Sequence, residues 1–178
     1  VSSQVGCRLA CSFCQTGKLG FFRSLTQGEI LQQLYIANNI LESEKRRISN
    51  IVFMGMGEPL DNYDHAVGAA NVMIDPSGFG LSARHVTLST SGIAPAIRRL
   101  ATESRAALAI SLHAAEDQLR TELMPINRRH NLTELREAII FYQQQTGKKI
   151  TIEYILIHQK NCGLEQARHL VRFLQGIP

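Results

Sequence analysis

The sequence predicts an α/β fold, a parallel sheet with helices packed outside it that closes only part of a barrel. Three observations carry this. Short apolar runs alternate with stretches whose apolar residues recur at helical spacing, five times over, which is the pattern of five βα units. Nearly every apolar run ends in a polar or glycine-bearing turn. The last unit ends at residue 178, where a sixth strand is due. An open doubly wound sheet competes with the incomplete barrel, and in both the ligand sits at the carboxyl ends of the strands.

Residues 1–6 read as the tail of a first strand, followed by a loop to about Ser24 that holds Gly17 and Gly20. Thr26-Gln27-Gly28-Glu29 is a capping box, with Leu25 and Ile30 at the staple positions. Ile30, Leu34, Ala37 and Leu41 form a helical stripe behind it, widened by Leu31 and Ile40. Residues 48–54 (ISNIVFM) are mostly apolar, as a strand buried on both faces requires. Gly55-Met56-Gly57-Glu58-Pro59 ends that strand, and a helix follows near 63–74. Val86 to Ser89 is a third strand, closed by Thr90-Ser91-Gly92, with Pro95 suited to the first turn of a helix near 94–101. Residues 105–110 (RAALAI) form the fourth strand, closed by Ser111-Leu112-His113 and followed by a helix near 115–123. Asn131-Leu132-Thr133-Glu134 repeats the capping-box pattern and opens a helix that Gly147 ends. Residues 150–157 (ITIEYILI) and 164–174 are the fifth strand and its helix.

Composition narrows the class. Hydrophobic content of 44% with 19% charged residues is that of a globular protein and excludes a disordered or collagen-like chain. No apolar run approaches the ~20 residues that span a bilayer, so no membrane partner is expected. The opening Val1-Ser2-Ser3-Gln4 lacks a secretory pattern. Four cysteines without a secretory signal suit a reducing, cytoplasmic setting and a metal more than disulfides. The net charge of +4 is spread over small groups such as Lys45-Arg46-Arg47 and Arg128-Arg129-His130. Each group alone reads as a solvated turn or helix end, and together they permit a polyanionic partner. Aromatic residues are only 6% and are not interleaved with them, so no base-stacking surface is evident.

The chemistry concentrates at Cys7, Cys11 and Cys14, spaced C-x3-C-x2-C. Three thiolates can hold three irons of a four-iron cluster and leave one iron open to substrate. Zinc competes, but it needs a fourth ligand, and neither a second C-x2-C pair nor a nearby His supplies one. An electron-transfer cluster is a further alternative. Phe13 can shield the site or simply pack in the core. Gly57 permits close backbone approach, and Glu58 offers a carboxylate to a cationic amine, although a G-x-G-E can also be a plain tight turn. Ser89, Ser111 and His113 are ordinary residues one by one. Their common place at strand ends makes them candidates.

With those motifs in view, the sequence resembles the radical S-adenosylmethionine (SAM) superfamily. Within it, Val1 to Cys7 (VSSQVGC), Met54 to Leu60 (MGMGEPL), Val86 to Gly92 (VTLSTSG), Ser111-Leu112-His113 and Met124-Pro125-Ile126-Asn127 resemble the dual-specificity RNA adenine-C2 methyltransferases. The resemblance runs end to end and implies a (β/α)6-type partial TIM barrel of which five units are present. It implies a [4Fe-4S] cluster on Cys7, Cys11 and Cys14, whose open iron chelates SAM. It implies SAM contacts from Gly57, Glu58, Ser89, Ser111, Leu112 and His113, with Met54 near the reacting centre or in the core. In that family a 5′-deoxyadenosyl radical activates a methylated cysteine, and the methyl carbon adds to C2 of an adenine in 23S rRNA or tRNA. The partners implied are those RNAs and an electron donor such as flavodoxin or ferredoxin, with the protein a cytoplasmic monomer.

Two catalytic cysteines of the family, a methyl carrier and one that resolves the RNA adduct, have no counterpart in these 178 residues. Residues 1–178 are thus expected to be the radical SAM core, without an N-terminal RNA-binding domain or the end of the barrel, and inactive in methyl transfer alone. Cys162 matches neither catalytic cysteine. The related adenine-C8 enzyme is the alternative, against which Pro59 and Ser91 lean toward C2.

Overall fold

The computed structural model describes residues 1–177. The elements are β1 (Gln4–Gly6), α1 (Gln15–Lys18), β2 (Phe21–Ser24), α2 (Gln27–Glu42), β3 (Ile51–Phe53), α3 (Tyr63–Ile74) and β4 (Val86–Thr90). They continue with α4 (Ala94–Glu103), β5 (Ala107–Ser111), α5 (Asp117–Leu123), α6 (Leu132–Thr146), β6 (Thr151–Glu153) and α7 (Leu164–Leu174). Strands β3, β4, β5 and β6 form one parallel sheet in that order, with Phe53, Leu88 and Leu108 in one buried row across it.

The strand order decides between the two architectures. A doubly wound sheet reverses its order at a switch point and carries helices on both faces. Here the order follows the chain, so right-handed crossovers put successive helices on one side. Accordingly α2 packs on α3, α3 on α4, and α4 on α6. The other face is the concave inner side of a partial barrel.

The first strand departs from expectation. The backbone nitrogen of Val1 donates to the Val52 carbonyl (2.8 Å), and its carbonyl accepts from Gly55 N–H (3.1 Å), so Val1 does flank β3. From Gln4 the chain leaves that edge, and β1 pairs antiparallel with β2. The span from Cys7 to Ser24 is therefore not all loop. It contains α1 and the returning strand β2. The pairing was hidden because both strands are short and are selected by contacts distant in sequence.

Helix α2 carries the full capping box: Thr26 accepts from Glu29 N–H, and Glu29 accepts from Thr26 N–H. Its buried stripe narrows to Ile30 and Leu34, while Ile40 stays exposed. At α6 Asn131 caps Glu134 N–H, but the Glu134 carboxylate meets His130 Nδ1 (3.0 Å), so the second capping box is half made.

Strand β6 ends at Glu153, short of the run predicted to 157. The buried Asn161 side chain takes its backbone away: Nδ2 donates to the Ile155 carbonyl, and Oδ1 accepts from Ile157 N–H (2.7 Å each).

Candidate functional site

A cavity of about 250 Å³ opens at the carboxyl ends of the parallel strands. Cys7, Cys11 and Cys14 line it, together with Gly57, Glu58, Ser89, Ser111 and His113. Residues separated by more than a hundred positions thus meet at one rim.

The cysteine segment is built from both ends of the fold. Cys7 N–H donates to the Gly20 carbonyl (2.9 Å) and Ser12 N–H to the Leu123 carbonyl at the end of α5 (2.9 Å). Cys7, Cys11 and Phe13 pack on a small apolar cluster of Leu9, Ala114, Leu123, Met124 and Ile126. All three thiols are free and partly exposed. Burial, then the neighbouring cysteines, push the Cys11 thiol up to about 12, and burial also raises Cys7. A cation bound there must displace protons, which is the ordinary behaviour of thiolate ligands. Three partly exposed thiols line one cavity, and a four-iron cluster takes each thiolate on its own iron. The donor set fits the cluster.

Gly55 and Gly57 serve the chain itself. A Cβ on Gly55 would lie 2.5 Å from Ser2 Oγ, and one on Gly57 would lie 2.5 Å from Gln4 Cβ. Gly57 also sits at φ +96°, in the left-handed region. These glycines let residues 1–4 cross beneath the turn, where Ser3 N–H and Gln4 N–H both reach the Met56 carbonyl (2.9 and 3.2 Å). The sequence suggested approach to a ligand. Both glycines line the cavity, but their tight contacts are with the N-terminal segment.

Glu58 is 3% exposed. Its carboxylate accepts from Ser91 N–H (2.8 Å) and Leu60 N–H (3.1 Å), while Gln4 Oε1 receives its backbone N–H (3.0 Å). Burial raises its pKa against the pull of those donors.

Register aligns the next group. Ser111 pairs with Glu153, and Ser89 pairs with Ala109, two residues before Ser111, so Ser89, Ser111 and Glu153 share one face. Ser89 Oγ donates to Glu153 Oε1 (3.1 Å) and Ser111 Oγ to Oε2 (3.3 Å).

His113 is 8% exposed with φ +56°. Its Nδ1 accepts from Ile155 N–H (3.2 Å), so the neutral ring carries its proton on Nε2. Burial, then the charge of Arg120, lower its pKa to about 4. The Phe13 ring meets it edge-on at 5.0 Å.

Other expected residues fall differently. Leu112 lies outside the cavity lining: its side chain is fully buried, its N–H donates to the Glu153 carbonyl (3.0 Å), and its carbonyl accepts from Arg120 (3.1 Å). Met54 is half-exposed and lines the cavity, so the plain core role fails. Cys162 is exposed and outside the lining.

Sequence reasoning missed Glu153, Gln4 and Arg120. Glu153 had a signal, a lone carboxylate inside an otherwise apolar strand. Gln4 and Arg120 had none, because each acts through partners distant in sequence.

The description "Radical SAM superfamily" matches residues 1–172. The chain belongs to the radical SAM superfamily. Membership implies SAM and a [4Fe-4S] cluster as cofactors. Curated relatives called "Dual-specificity RNA methyltransferase RlmN" include one from Ruthia magnifica subsp. Calyptogena magnifica, 49% identical over 99% of this chain and 50% of its own length. Another, from Syntrophobacter fumaroxidans, is 51% identical over 99% of this chain and 52% of its length. The chain thus spans about half the length of the curated relatives it matches. Among solved structures, a radical SAM methyltransferase from Sphaerobacter thermophilus is 43% identical with a TM-score of 0.96, covering 99% of this chain and 52% of that one. Streptococcus suis SuiB bound to S-adenosylmethionine, at 18% identity and TM-score 0.67 over 97% of this chain and 36% of that one, shares the fold.

Proposed function

We propose that this chain is the SAM-cleaving core of an RNA methyltransferase that modifies C2 of an adenosine in 23S rRNA and tRNA. The observation that carries the reading is the cavity that gathers three free thiols, a buried carboxylate and two strand-end serines. The names of relatives near 50% identity support the RNA substrate.

In this reading Cys7, Cys11 and Cys14 hold the cluster, which supplies one electron and one open iron for SAM. Gly57 and Glu58 face the methionine end of SAM, where the Glu58 carboxylate attracts an ammonium. Ser89, Ser111 and Glu153 offer hydroxyl and carboxylate oxygens to the polar remainder. His113 stays neutral at pH 7 and keeps a donor on Nε2, while its contact with Phe13 narrows solvent access to the thiols. Leu112 backs this wall from the core. A flavodoxin- or ferredoxin-type protein donates the electron to a monomeric cytoplasmic enzyme, and the RNA is held largely by protein outside residues 1–178.

The experiment is RNA methylation by the full-length protein under reducing, anaerobic conditions, with nucleosides resolved by mass spectrometry. The expected product is 2-methyladenosine, lost in Cys11→Ser. A product of 8-methyladenosine would move the assignment to the C8 relative. A protein that binds stoichiometric zinc and no iron would overturn the reading.

A further inference from the structure

The side chain of Arg120 is fully buried. Among the described residues no carboxylate forms an ion pair with it. Its fork is spent on neutral acceptors: Nε donates to the Leu112 carbonyl (3.1 Å), Nη1 to Asn127 Oδ1 (2.8 Å), and Nη2 to the Ser91 carbonyl (2.6 Å). The nearby Asp117 carboxylate does not reach it. Asp117 Oδ1 accepts instead from Asn127 Nδ2 (2.8 Å) and Leu132 N–H (3.0 Å), so a neutral amide stands between the two charges.

A buried cation without a bonded counter-ion is costly. Four contacts direct this one toward the cysteine segment. Leu112 and Ser91, whose carbonyls it binds, flank His113 and the Glu58-bound Ser91 N–H respectively. Its helix α5 receives Ser12 N–H on the Leu123 carbonyl, which joins that helix to the loop between Cys11 and Cys14. Ser91 and Ser111, whose carbonyls Nη2 reaches (2.6 and 3.4 Å), line the same cavity as Cys7, Cys11 and Cys14. The cysteine segment is where a thiolate-bound cluster would place net negative charge.

We propose that Arg120 is the electrostatic positioning residue of the iron–sulfur site, a buried cation that raises the cluster's reduction potential while clamping the ends of β4 and β5. This rests on Cys7, Cys11 and Cys14 being cluster ligands. Reduction adds one electron and breaks no bond. Arg120 favours the state that carries one more negative charge, and burial keeps water from screening it.

The test is an EPR-monitored redox titration of the full-length, anaerobically reconstituted protein, with dithionite as reductant. Arg120→Gln should lower the equilibrium constant for one-electron reduction about tenfold, a shift of about 59 mV to more negative potential. Arg120→Lys keeps the charge and should stay within about threefold of the parent. Asp117→Asn removes the opposing charge with nearly the same shape and should raise the equilibrium constant for reduction severalfold, a shift to more positive potential. If Arg120→Gln does not fold, the other two variants decide. Unchanged potential in Asp117→Asn, or equal shifts in Arg120→Gln and Arg120→Lys, would overturn the inference and leave Arg120 a structural clamp. A parent protein that takes up no iron would overturn the cluster reading as well.

Discussion

The two ends of the parallel sheet carry cavities of opposite character. At the amino ends lie one of about 800 Å³ and one of about 470 Å³, the latter lined by Asn71, Asp75, Ser104, Arg105 and Lys148 among others. Its polar groups are partnered locally: Ser104 Oγ donates to Asn71 Oδ1 (2.7 Å), Asn71 Nδ2 to the Glu103 carbonyl (3.0 Å), and Lys148 Nζ to the Arg105 carbonyl (2.6 Å). At the carboxyl ends lies a smaller one, about 250 Å³, yet Glu58, Ser89, Thr90 and His113 are all buried there. Cys7, Cys11 and Cys14 are free there, so that end keeps spare bonding capacity. Volume alone points to the wrong end. What marks a site is polar chemistry that is buried and still available.

This contrast can be broken by substitution. The largest effect is expected from Cys11→Ser, which should abolish the sulfide-to-iron charge-transfer absorption and the bound iron, whereas Ser104→Ala at the other end should change neither. Next, Glu58→Gln should weaken SAM binding at least tenfold, about 1.4 kcal/mol, in calorimetric titration of the loaded protein. It replaces a carboxylate oxygen that accepts from Ser91 or Leu60 N–H with an amide donor.

Two glycines with positive φ sharpen the comparison further. Gly57→Ala meets Gln4 Cβ at 2.5 Å, while Gly147, at φ +65° in the cap of α6, has nothing within 4 Å of an added Cβ. Gly57→Ala should cost roughly 2–5 kcal/mol and Gly147→Ala about 1–2 kcal/mol in denaturant unfolding. The smallest effect is a pH dependence. The folded pKa of His113, about 4, lies below its ordinary 6.5, so the unfolded chain binds the proton first. Its contribution to stability is complete above about pH 6.5 and is lost as pH falls toward 4. Thermal melts of the apo protein at several pH values should show a shallower acid decline in His113→Asn, since Asn tolerates the positive φ.

The sheet was legible because burial decides it. Residues 105–110 are apolar enough to be a strand in any context, whereas the run at 48–54 is strand only over Ile51–Phe53 and leaves Val52 exposed, so it is not buried on both faces. The strand-end residues Ser89, Ser111 and His113 follow from where the apolar runs stop. Helices α3 and α7 fell at the bounds their periodicity indicated. The β1–β2 pair was not legible, because three- and four-residue strands have no period to read and their register comes from tertiary contact. The early end of β6 was hidden for a related reason: one Asn side chain eight residues past Glu153 outbids the ladder. Leu112 sits between two cavity-lining residues with its side chain in the core. Arg120 is the converse, a residue in an ordinary helical stretch that the fold buries at the junction of the site's walls.

The central claim, that Cys7, Cys11 and Cys14 form a SAM-responsive cluster site, is tested most directly by anaerobic reconstitution followed by metal analysis and absorption spectroscopy with and without SAM. The expected result is a [4Fe-4S] complement of iron and sulfide per chain and a spectrum that changes when SAM is added. One zinc per chain with no iron, or a cluster whose spectrum ignores SAM, would contradict it.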